Sequence, residues 1–260
     1  MKMTKRLYFG TNTKMYKTIA ETAKFLKELV ELTKDISQEQ ARLFVIPSFT
    51  ALAEAKKSLG ESNIMLGAQN MCWEDEGEFT GEISPLMLKE IGVDIVEIGH
   101  SERRHVLGET DFQEKLKVEA AIRHEMTALL CIGETKEQKD YGIQDDILSM
   151  QLKIGLNSVS KDDAKKLLWI AYEPVWAIGV KGTPITLDYA TDRLKHIRSV
   201  LIELFGEETG CSIPVLYGGS VNMDNARMLM ADQNINGLFV GRSAWEAGNF
   251  NKMLRSILEL

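Results

Sequence analysis

Residues 167–184 read LLWIAYEPVWAIGVKGTP and join a strand-like run to a loop. The run from Leu167 to Tyr172 is apolar throughout, as expected of a strand that is buried on both faces. Glu173 follows where the strand ends, and Pro174 restricts the chain directly after it. This arrangement is typical of a catalytic base beneath a lid, although a solvated glutamate before an ordinary surface loop produces the same pattern.

Short apolar runs alternate with helix-period segments along the whole chain. The predicted strands are Leu7–Thr11, Leu43–Ile46, Ile64–Ala68, Ile95–Ile98, Ala128–Ile132, Leu168–Tyr172, Val215–Tyr217 and Gly237–Val240. The predicted helices are Ile19–Thr33, Thr50–Leu59, Pro85–Ile91, Phe112–Glu125, Glu137–Asn157, Leu187–Phe205, Asp224–Met230 and Phe250–Leu258. These alternating units, without a linker, predict a single α/β domain over residues 1–260, a (β/α)8 barrel of parallel strands. No Gly-x-Gly-x-x-Gly motif follows the first strand, which argues against a dinucleotide-binding fold.

Composition narrows the class of protein. The chain has 260 residues, a net charge of -7 and a hydrophobic content of 44%, which is enough for one large core. The acidic balance argues against nucleic acid or an anionic membrane surface as the main partner. Cys72, Cys131 and Cys211 are an odd number without motif spacing, which argues against structural disulfides and favours a reducing compartment. No apolar stretch has the length of a transmembrane segment, so we expect a cytoplasmic protein.

Polar side chains and glycine turns follow most of the predicted strands, at the edge where a barrel carries its chemistry. Glycine turns before helices expose N–H groups that suit a phosphate, and the turns after strands seven and eight are the usual place for one. A carboxylate, an imidazole and a cation near such turns indicate proton transfer beside the carbonyl group of a sugar phosphate. In chain order the residues are Asn12, Lys14, His100, Ser101, Glu102, Glu134, Glu173, Gly218, Gly219, Ser220, Gly241 and Arg242.

Each of these residues also has an ordinary structural interpretation. Lys14, taken alone, is typical of a solvated surface lysine. Ser101 is expected to cap a helix that begins after His100, and that helix terminus would also keep the imidazole neutral. The glycine pair after the seventh strand is compatible with a plain strand-to-helix turn. Arg103 and Arg104 are expected to form structural ion pairs away from the pocket.

The sequence resembles the triosephosphate isomerase family over nearly its whole length. The resemblance implies the TIM barrel fold and an aldose–ketose isomerase that needs no metal or organic cofactor. Several motifs at the ends of successive strands carry it, and together they form a specific pattern. The motifs are Asn12-Thr13-Lys14-Met15, Gly67-Ala68-Gln69-Asn70, Phe79-Thr80-Gly81-Glu82, Gly99 to His105, Cys131-Ile132-Gly133-Glu134, Ala171 to Gly179, and Tyr217 to Val221.

The resemblance also implies a role for each site residue. Glu173 is the base that moves a proton between adjacent carbons, and neutral His100 polarises the carbonyl group. Lys14 supplies positive charge, and Asn12 adds a hydrogen bond at the same place. The implied phosphate contacts are Gly179, Gly218, Gly219, Ser220 and Gly241, and the implied supporting residues are Glu102, Ser101 and Thr80. Arg242 is not part of the family pattern, and its guanidinium is expected either to bind the phosphate or to turn outward to a carboxylate.

The family is dimeric, so the resemblance implies a homodimer. The 69–84 segment is similar to the loop that reaches into the neighbouring subunit, where Thr80 would brace Lys14 and His100. We expect Met71, Cys72, Trp73 and Phe79 to give this loop an apolar surface.

Three departures from the family pattern are expected at the substrate pocket. Thr13 replaces the usual tryptophan, the lid tip at 180–184 is shorter, and Arg242 replaces the second glycine of a pair. Because Glu173, His100 and Lys14 are all present, the leading hypothesis is still an aldose–ketose isomerase that interconverts glyceraldehyde 3-phosphate and dihydroxyacetone phosphate. The alternative is a tetrose phosphate such as an erythrulose phosphate, since a shorter lid leaves room for another carbon. A catalytically silent phosphate-binding barrel is a third hypothesis, although such a relative would be expected to lack Glu173, His100 or Lys14.

Overall fold

The computed structural model describes residues 6–179, 182–183 and 185–259. Eight parallel strands close into one barrel, in which each strand pairs with the next along the chain and the last pairs with the first. The (β/α)8 TIM barrel expected from the sequence is therefore confirmed. The strands are β1 (Leu7–Asn12), β2 (Ala41–Ile46), β3 (Ile64–Ala68), β4 (Ile95–Ile98), β5 (Thr127–Ile132), β6 (Leu168–Tyr172), β7 (Val215–Tyr217) and β8 (Gly237–Val240).

The helices surround the barrel. They are α1 (Ile19–Thr33), α2 (Leu52–Leu59), α3 (Pro85–Ile91), α4 (Ser101–His105), α5 (Asp111–Arg123), α6 (Lys136–Asp140), α7 (Gln144–Gly155), α8 (Lys161–Leu167), α9 (Leu187–Phe205), α10 (Glu207–Ser212), α11 (Ala226–Met230) and α12 (Ala247–Leu258). Among the described residues, no helix is both long and apolar enough to cross a membrane.

The helix predictions were wrong in detail. The segment predicted as one helix over 137–157 forms two, α6 and α7, because Gly142 between them adopts a left-handed φ of 74°. The short helices α8 and α10 were not predicted, since their mostly polar sequences lack the apolar stripe that marks a longer helix.

Alternate residues of each strand face opposite sides and form two apolar layers. On β4, Ile95 packs inside the barrel with Phe44 and Leu129, whereas Val96 packs outside it against the helices. The filled interior fixes the carboxyl ends of the strands close together, where the predicted site residues lie.

A buried ionic cluster lies under α5. Lys117 is buried and donates hydrogen bonds to Asn70 Oδ1 at 2.8 Å and to Glu109 Oε1 at 2.5 Å. Burial alone would raise the pKa of Glu109, but hydrogen bonds from Arg103 and Lys117 outweigh it and lower the pKa to about 2. Glu114 is also fully buried, and burial raises its pKa to about 7 against the attraction of nearby cations. The charge of Glu109 raises the pKa of Glu114 further and so favours its protonated form.

Candidate active site

One pocket of about 380 Å³ opens at the carboxyl ends of the strands. Most of the predicted site residues meet there. Ser101 lies just outside its lining, and Thr80 stands on the exposed part of the loop between β3 and α3. The predicted residues that line the pocket are Asn12, Lys14, His100, Glu102, Glu173, Gly179, Gly218, Gly219, Ser220, Gly241 and Arg242.

His100 and Glu173 face each other across the pocket floor. Both are buried, and His100 Nε2 lies 3.8 Å from Glu173 Oε2. His100 itself caps α4, because its Nδ1 accepts a hydrogen bond from the backbone N–H of Glu102 at 3.1 Å. The expectation that Ser101 caps this helix was therefore wrong. An accepting Nδ1 is unprotonated, so the imidazole is neutral and carries its proton on Nε2, the nitrogen nearer to Glu173.

Glu173 is closely packed against two glycines, at which a side chain would collide with it. A β-carbon added to Gly218 would lie 2.9 Å from Glu173 Cγ, and one added to Gly133 would collide with the Glu173 carbonyl oxygen. Burial raises the pKa of the Glu173 carboxyl, while His100, Lys14 and the backbone N–H of Ser101 oppose that rise. A carboxylate with a raised pKa is suited to accept and return a proton near neutral pH.

Lys14 is held by its backbone and by its side chain. Its φ of 50° is in the left-handed region, which costs a residue with a β-carbon about 1–3 kcal/mol. Its N–H donates to Asn12 Oδ1 at 2.6 Å, and its carbonyl accepts from Gln69 Nε2 at 2.8 Å. Its Nζ lies 2.6 Å from Glu102 Oε1. Gln69 was not predicted as a site residue, although its place at the end of β3 was the available signal.

Arg242 turns into the pocket wall. Its guanidinium carbon lies 5.7 Å from the Trp245 ring and 5.9 Å from the Tyr16 ring, and the two rings are 4.6 Å apart. Within the described part of the chain, no carboxylate forms an ion pair with Arg242. The indole N–H of Trp245 donates to the Asn12 carbonyl at 2.9 Å, which ties this aromatic pair to the end of β1. Neither aromatic residue was predicted.

The three departures have different outcomes. Thr13 is fully buried, its backbone N–H donates to the Ile46 carbonyl at 3.0 Å, and it does not line the pocket, so that prediction was wrong. The lid tip residues 180, 181 and 184 lie outside the described residues. The exchange to Arg242 does alter the pocket lining.

Glu134 does not line the pocket but anchors the start of the lid. It is fully buried, and its Oε1 accepts from Trp176 Nε1 at 2.9 Å and from the Tyr189 hydroxyl at 3.0 Å. The Tyr172 hydroxyl donates to the same carboxylate at 3.2 Å. Lys139 Nζ lies over the Trp176 ring at 3.8 Å. These contacts hold in place the aromatic residues at the start of the lid segment that follows β6.

The 69–84 loop is less apolar on its surface than expected. Met71 and Cys72 are buried within the chain, so their assignment to an exposed apolar surface was wrong. Trp73 and Phe79 pack edge to face at 6.0 Å, and Phe79 remains 39% exposed. Only part of the predicted apolar surface is thus available.

Glu97, Cys131 and Glu173 place potential metal-ligand atoms within 4.8 Å of one another. Burial, followed by the charge of Glu173, raises the pKa of the Cys131 thiol well above its usual value. A neutral thiol is a poor ligand, since metals bind the thiolate. The three side chains are therefore better suited to share protons with one another than to bind a cation.

A family model of triosephosphate isomerase matches residues 7–257. The chain belongs to the triosephosphate isomerase family. It is 46% identical to an L-erythrulose-1-phosphate isomerase of Rhizobium etli, over 96% of this chain and 92% of that protein. It is 44% identical to an L-erythrulose-1-phosphate isomerase of Rhizobium meliloti, over 96% of both chains. The crystal structure of triosephosphate isomerase from Bartonella henselae superposes with a TM-score of 0.86 at 33% identity, over 98% of this chain and 100% of that one. This member of the family is an isomerase.

Proposed function

We propose that the protein is an isomerase of a four-carbon ketose phosphate, L-erythrulose 1-phosphate. The proposal rests on the name shared by relatives that are 44–46% identical over nearly their whole length. The sequence alone favoured a triose phosphate, with an erythrulose phosphate as the alternative, and these names support the alternative better.

The chemistry of this substrate differs from an aldose–ketose exchange. Its first carbon carries the phosphate ester, so the carbonyl group can move only from the second carbon to the third. The product is again a ketose, erythrulose 4-phosphate. L-Erythrulose 1-phosphate is dihydroxyacetone phosphate with a hydroxymethyl group in place of one hydrogen on the carbon that loses its proton. The reacting atoms therefore keep the same position relative to the phosphate in both substrates.

Each catalytic side chain has one task in this proposal. The Glu173 carboxylate takes the proton from the third carbon, and the electron pair forms an enediol with the second carbon. His100 Nε2–H donates to the carbonyl oxygen that becomes negative, and Lys14 and Asn12 stabilise that charge. Protons then exchange between the two oxygens through His100. The carboxyl of Glu173 returns its proton to the second carbon, which balances the step.

The phosphate is assigned to the opposite half of the pocket. Ser220 offers a hydroxyl group, and the glycines at 179, 218, 219 and 241 allow close approach to backbone N–H groups. Arg242 adds a guanidinium that lines the pocket without a carboxylate partner among the described residues, and such a group pairs well with phosphate. No step of this mechanism requires a metal or an organic cofactor.

A rate comparison on two substrates tests the proposed function. We expect kcat/KM for L-erythrulose 1-phosphate to exceed that for dihydroxyacetone phosphate by about 10-fold or more. A pocket that fits one additional carbon usually changes kcat/KM by at least this factor. Exchange of the carbon-bound proton in D2O, followed by NMR, measures both reactions in the same way. A higher value for the triose phosphate would instead make the protein a triosephosphate isomerase.

The homodimer and the cytoplasmic location also belong to the proposal. The exposed Phe79 and the neighbouring Thr80 support docking of the 69–84 loop on a second copy, and the free thiols of Cys72, Cys131 and Cys211 fit a reducing compartment. Sedimentation equilibrium is expected to give twice the mass of one chain.

We expect Phe79→Asp to shift this equilibrium towards the monomer, because it places a charge in an apolar contact. Tyr141→Asp, at a residue that is 80% exposed outside this loop, is the matched control and should leave the dimer intact. A wild-type monomer at micromolar concentration would contradict the assignment.

A further inference from the structure

Glu97 is a buried glutamate directly behind the pocket. It lies on β4, between Val96 and Ile98, and is fully buried. Its side chain faces the barrel interior, where its Oε1 lies 3.9 Å from Cys131 Sγ. A carboxylate oxygen of Glu97 lies within 4.8 Å of one of Glu173. A carboxyl group at an inward position of an apolar strand requires an explanation, because burial of such a group is costly.

The hydrogen bonds around Asn12 fix which end of its amide meets Glu97. Gln69 Nε2 donates to the Lys14 carbonyl, which can only accept, so this nitrogen is a donor. Gln69 Nε2 also lies 3.0 Å from Asn12 Oδ1. The backbone nitrogen of Lys14 lies 2.6 Å from the same Oδ1 atom. Oδ1 of Asn12 therefore accepts both bonds.

The other end of the amide must then point at Glu97. Asn12 Nδ2 lies 2.7 Å from Glu97 Oε2 and donates to it. One N–H of Nδ2 remains, and Asn12 lines the pocket. A rotated amide would instead present an oxygen to the negative oxygen of the reacting substrate. The carboxyl of Glu97 thus restrains the side chain that offers this donor.

The surroundings of Glu97 favour its protonated form. Burial raises its pKa well above the usual value, and the charge of Glu173 raises it further. The hydrogen bond from Asn12 and the charge of Lys14 oppose this rise, while Glu102 adds to it. The Cys131 thiol is a further titratable group that faces Glu97. Ionised Glu97 would place a second negative charge beside Glu173 and near the enediol.

We propose that Glu97 is a positioning residue of the isomerase reaction, which as a neutral carboxylic acid holds the Asn12 amide with an N–H towards the reacting oxygen. The inference rests on the proposed function and extends it, because it assigns a residue that does not itself touch the substrate. It also accounts for a polar group inside an otherwise apolar layer.

Two substitutions separate this role from simple packing. We expect Glu97→Met to lower kcat about 10- to 100-fold while KM changes less than about threefold, because the lost interaction acts on charge that develops in the transition state. Glu97→Gln is neutral and still accepts a hydrogen bond, so its kcat is expected to stay within about threefold of wild type. Ile95→Val, at the neighbouring inward position of β4, is the packing control and should retain wild-type kcat. If the Glu97→Met protein does not fold, Glu97→Leu takes its place in this comparison.

Asn12 provides the decisive comparison. If Glu97 acts through Asn12, adding Glu97→Met to Asn12→Ala is expected to lower kcat by less than about twofold further. The acidic limb of the kcat/KM profile should coincide for wild type and Glu97→Gln, within about 0.3 pH unit, if Glu97 is neutral while Glu173 ionises. Additive losses in the double variant, or an acidic limb displaced to lower pH in Glu97→Gln, would overturn the proposal.

Loss of the proposed function and loss of the role of Glu97 give different experimental results. Wild type that turns over neither ketose phosphate would remove the proposed function and this role with it. Active wild type with an equally active Glu97→Met variant would remove only the role of Glu97.

Discussion

Glu173→Gln is expected to lower kcat on L-erythrulose 1-phosphate by about 1,000-fold, within the range that general bases supply. Glutamine has the size of glutamate but cannot take a proton from carbon. The buried position, 3.8 Å from His100 Nε2, leaves little room for water to replace the lost base. KM should change much less than kcat, because Glu173 acts on the reacting carbon and not on the phosphate. Steady-state kinetics on purified protein measures both constants.

The pH profile provides a second test of the same residue. Burial raises the pKa of Glu173, and the proposed base acts in its ionised form. Activity should therefore rise with pH through a value above the ordinary carboxyl range, and the Glu173→Gln variant should lose that dependence. Glu28→Gln, at an exposed glutamate on α1, is the control and should match wild type. If Glu173→Gln kept more than about a tenth of wild-type kcat, the base would have to be another group.

The proposed change of substrate requires little change in the catalytic groups. Glu173, His100 and Lys14, the proposed catalytic groups, line one pocket, and the additional hydroxymethyl group leaves the two reacting carbons of the proposed substrate unchanged. Discrimination between three and four carbons must therefore come from the pocket wall and the lid. Arg242, which lies near the rings of Tyr16 and Trp245, is the described residue of that wall in which this chain departs from the family pattern.

Sequence reasoning predicted what depends on local pattern. Apolar runs identified the strands, and polar residues at their ends identified most of the pocket. It failed where tertiary register decides. Glu97 stands in an apolar strand, and only the inward orientation of its side chain brings it to Asn12. Thr13 shows the converse, since a residue between two pocket residues can face away from the pocket.

The helix errors have local causes. Gly142 ended a helix that was predicted to continue through it, because a single glycine within a helix-forming stretch does not by itself reveal the left-handed φ that turns the backbone. His100 took the capping position expected of Ser101, since an imidazole nitrogen can accept the same bond as a hydroxyl group. This substitution of one cap for another has a functional result, because it fixes the tautomer of the proposed electrophile.

Glu114→Gln is expected to stabilise the fold at neutral and alkaline pH. Folding raises the pKa of Glu114 to about 7 from its ordinary value of 4.5, chiefly through burial. A group with a raised pKa contributes its full stability below the unfolded value and loses it as pH rises through the folded value. The variant is neutral at all pH, so its advantage should grow from about 0.5 kcal/mol at about pH 4.5 to about 3 kcal/mol at about pH 8.

Urea denaturation of both proteins at the two pH values measures this difference. Glutamine also offers an N–H donor near Glu109, whose Oε2 has no hydrogen-bond partner among the described residues. Glu28→Gln, an exposed position with no resolved ion pair in the described chain, is the control and should change stability equally little at both pH values. A Glu114→Gln protein less stable than wild type at about pH 8 would mean that the ionised carboxylate is bound by Arg104 and Lys117 strongly enough to outweigh its burial. The cluster under α5 would then be a network of ion pairs that includes ionised Glu114, and not one in which Glu114 stays protonated.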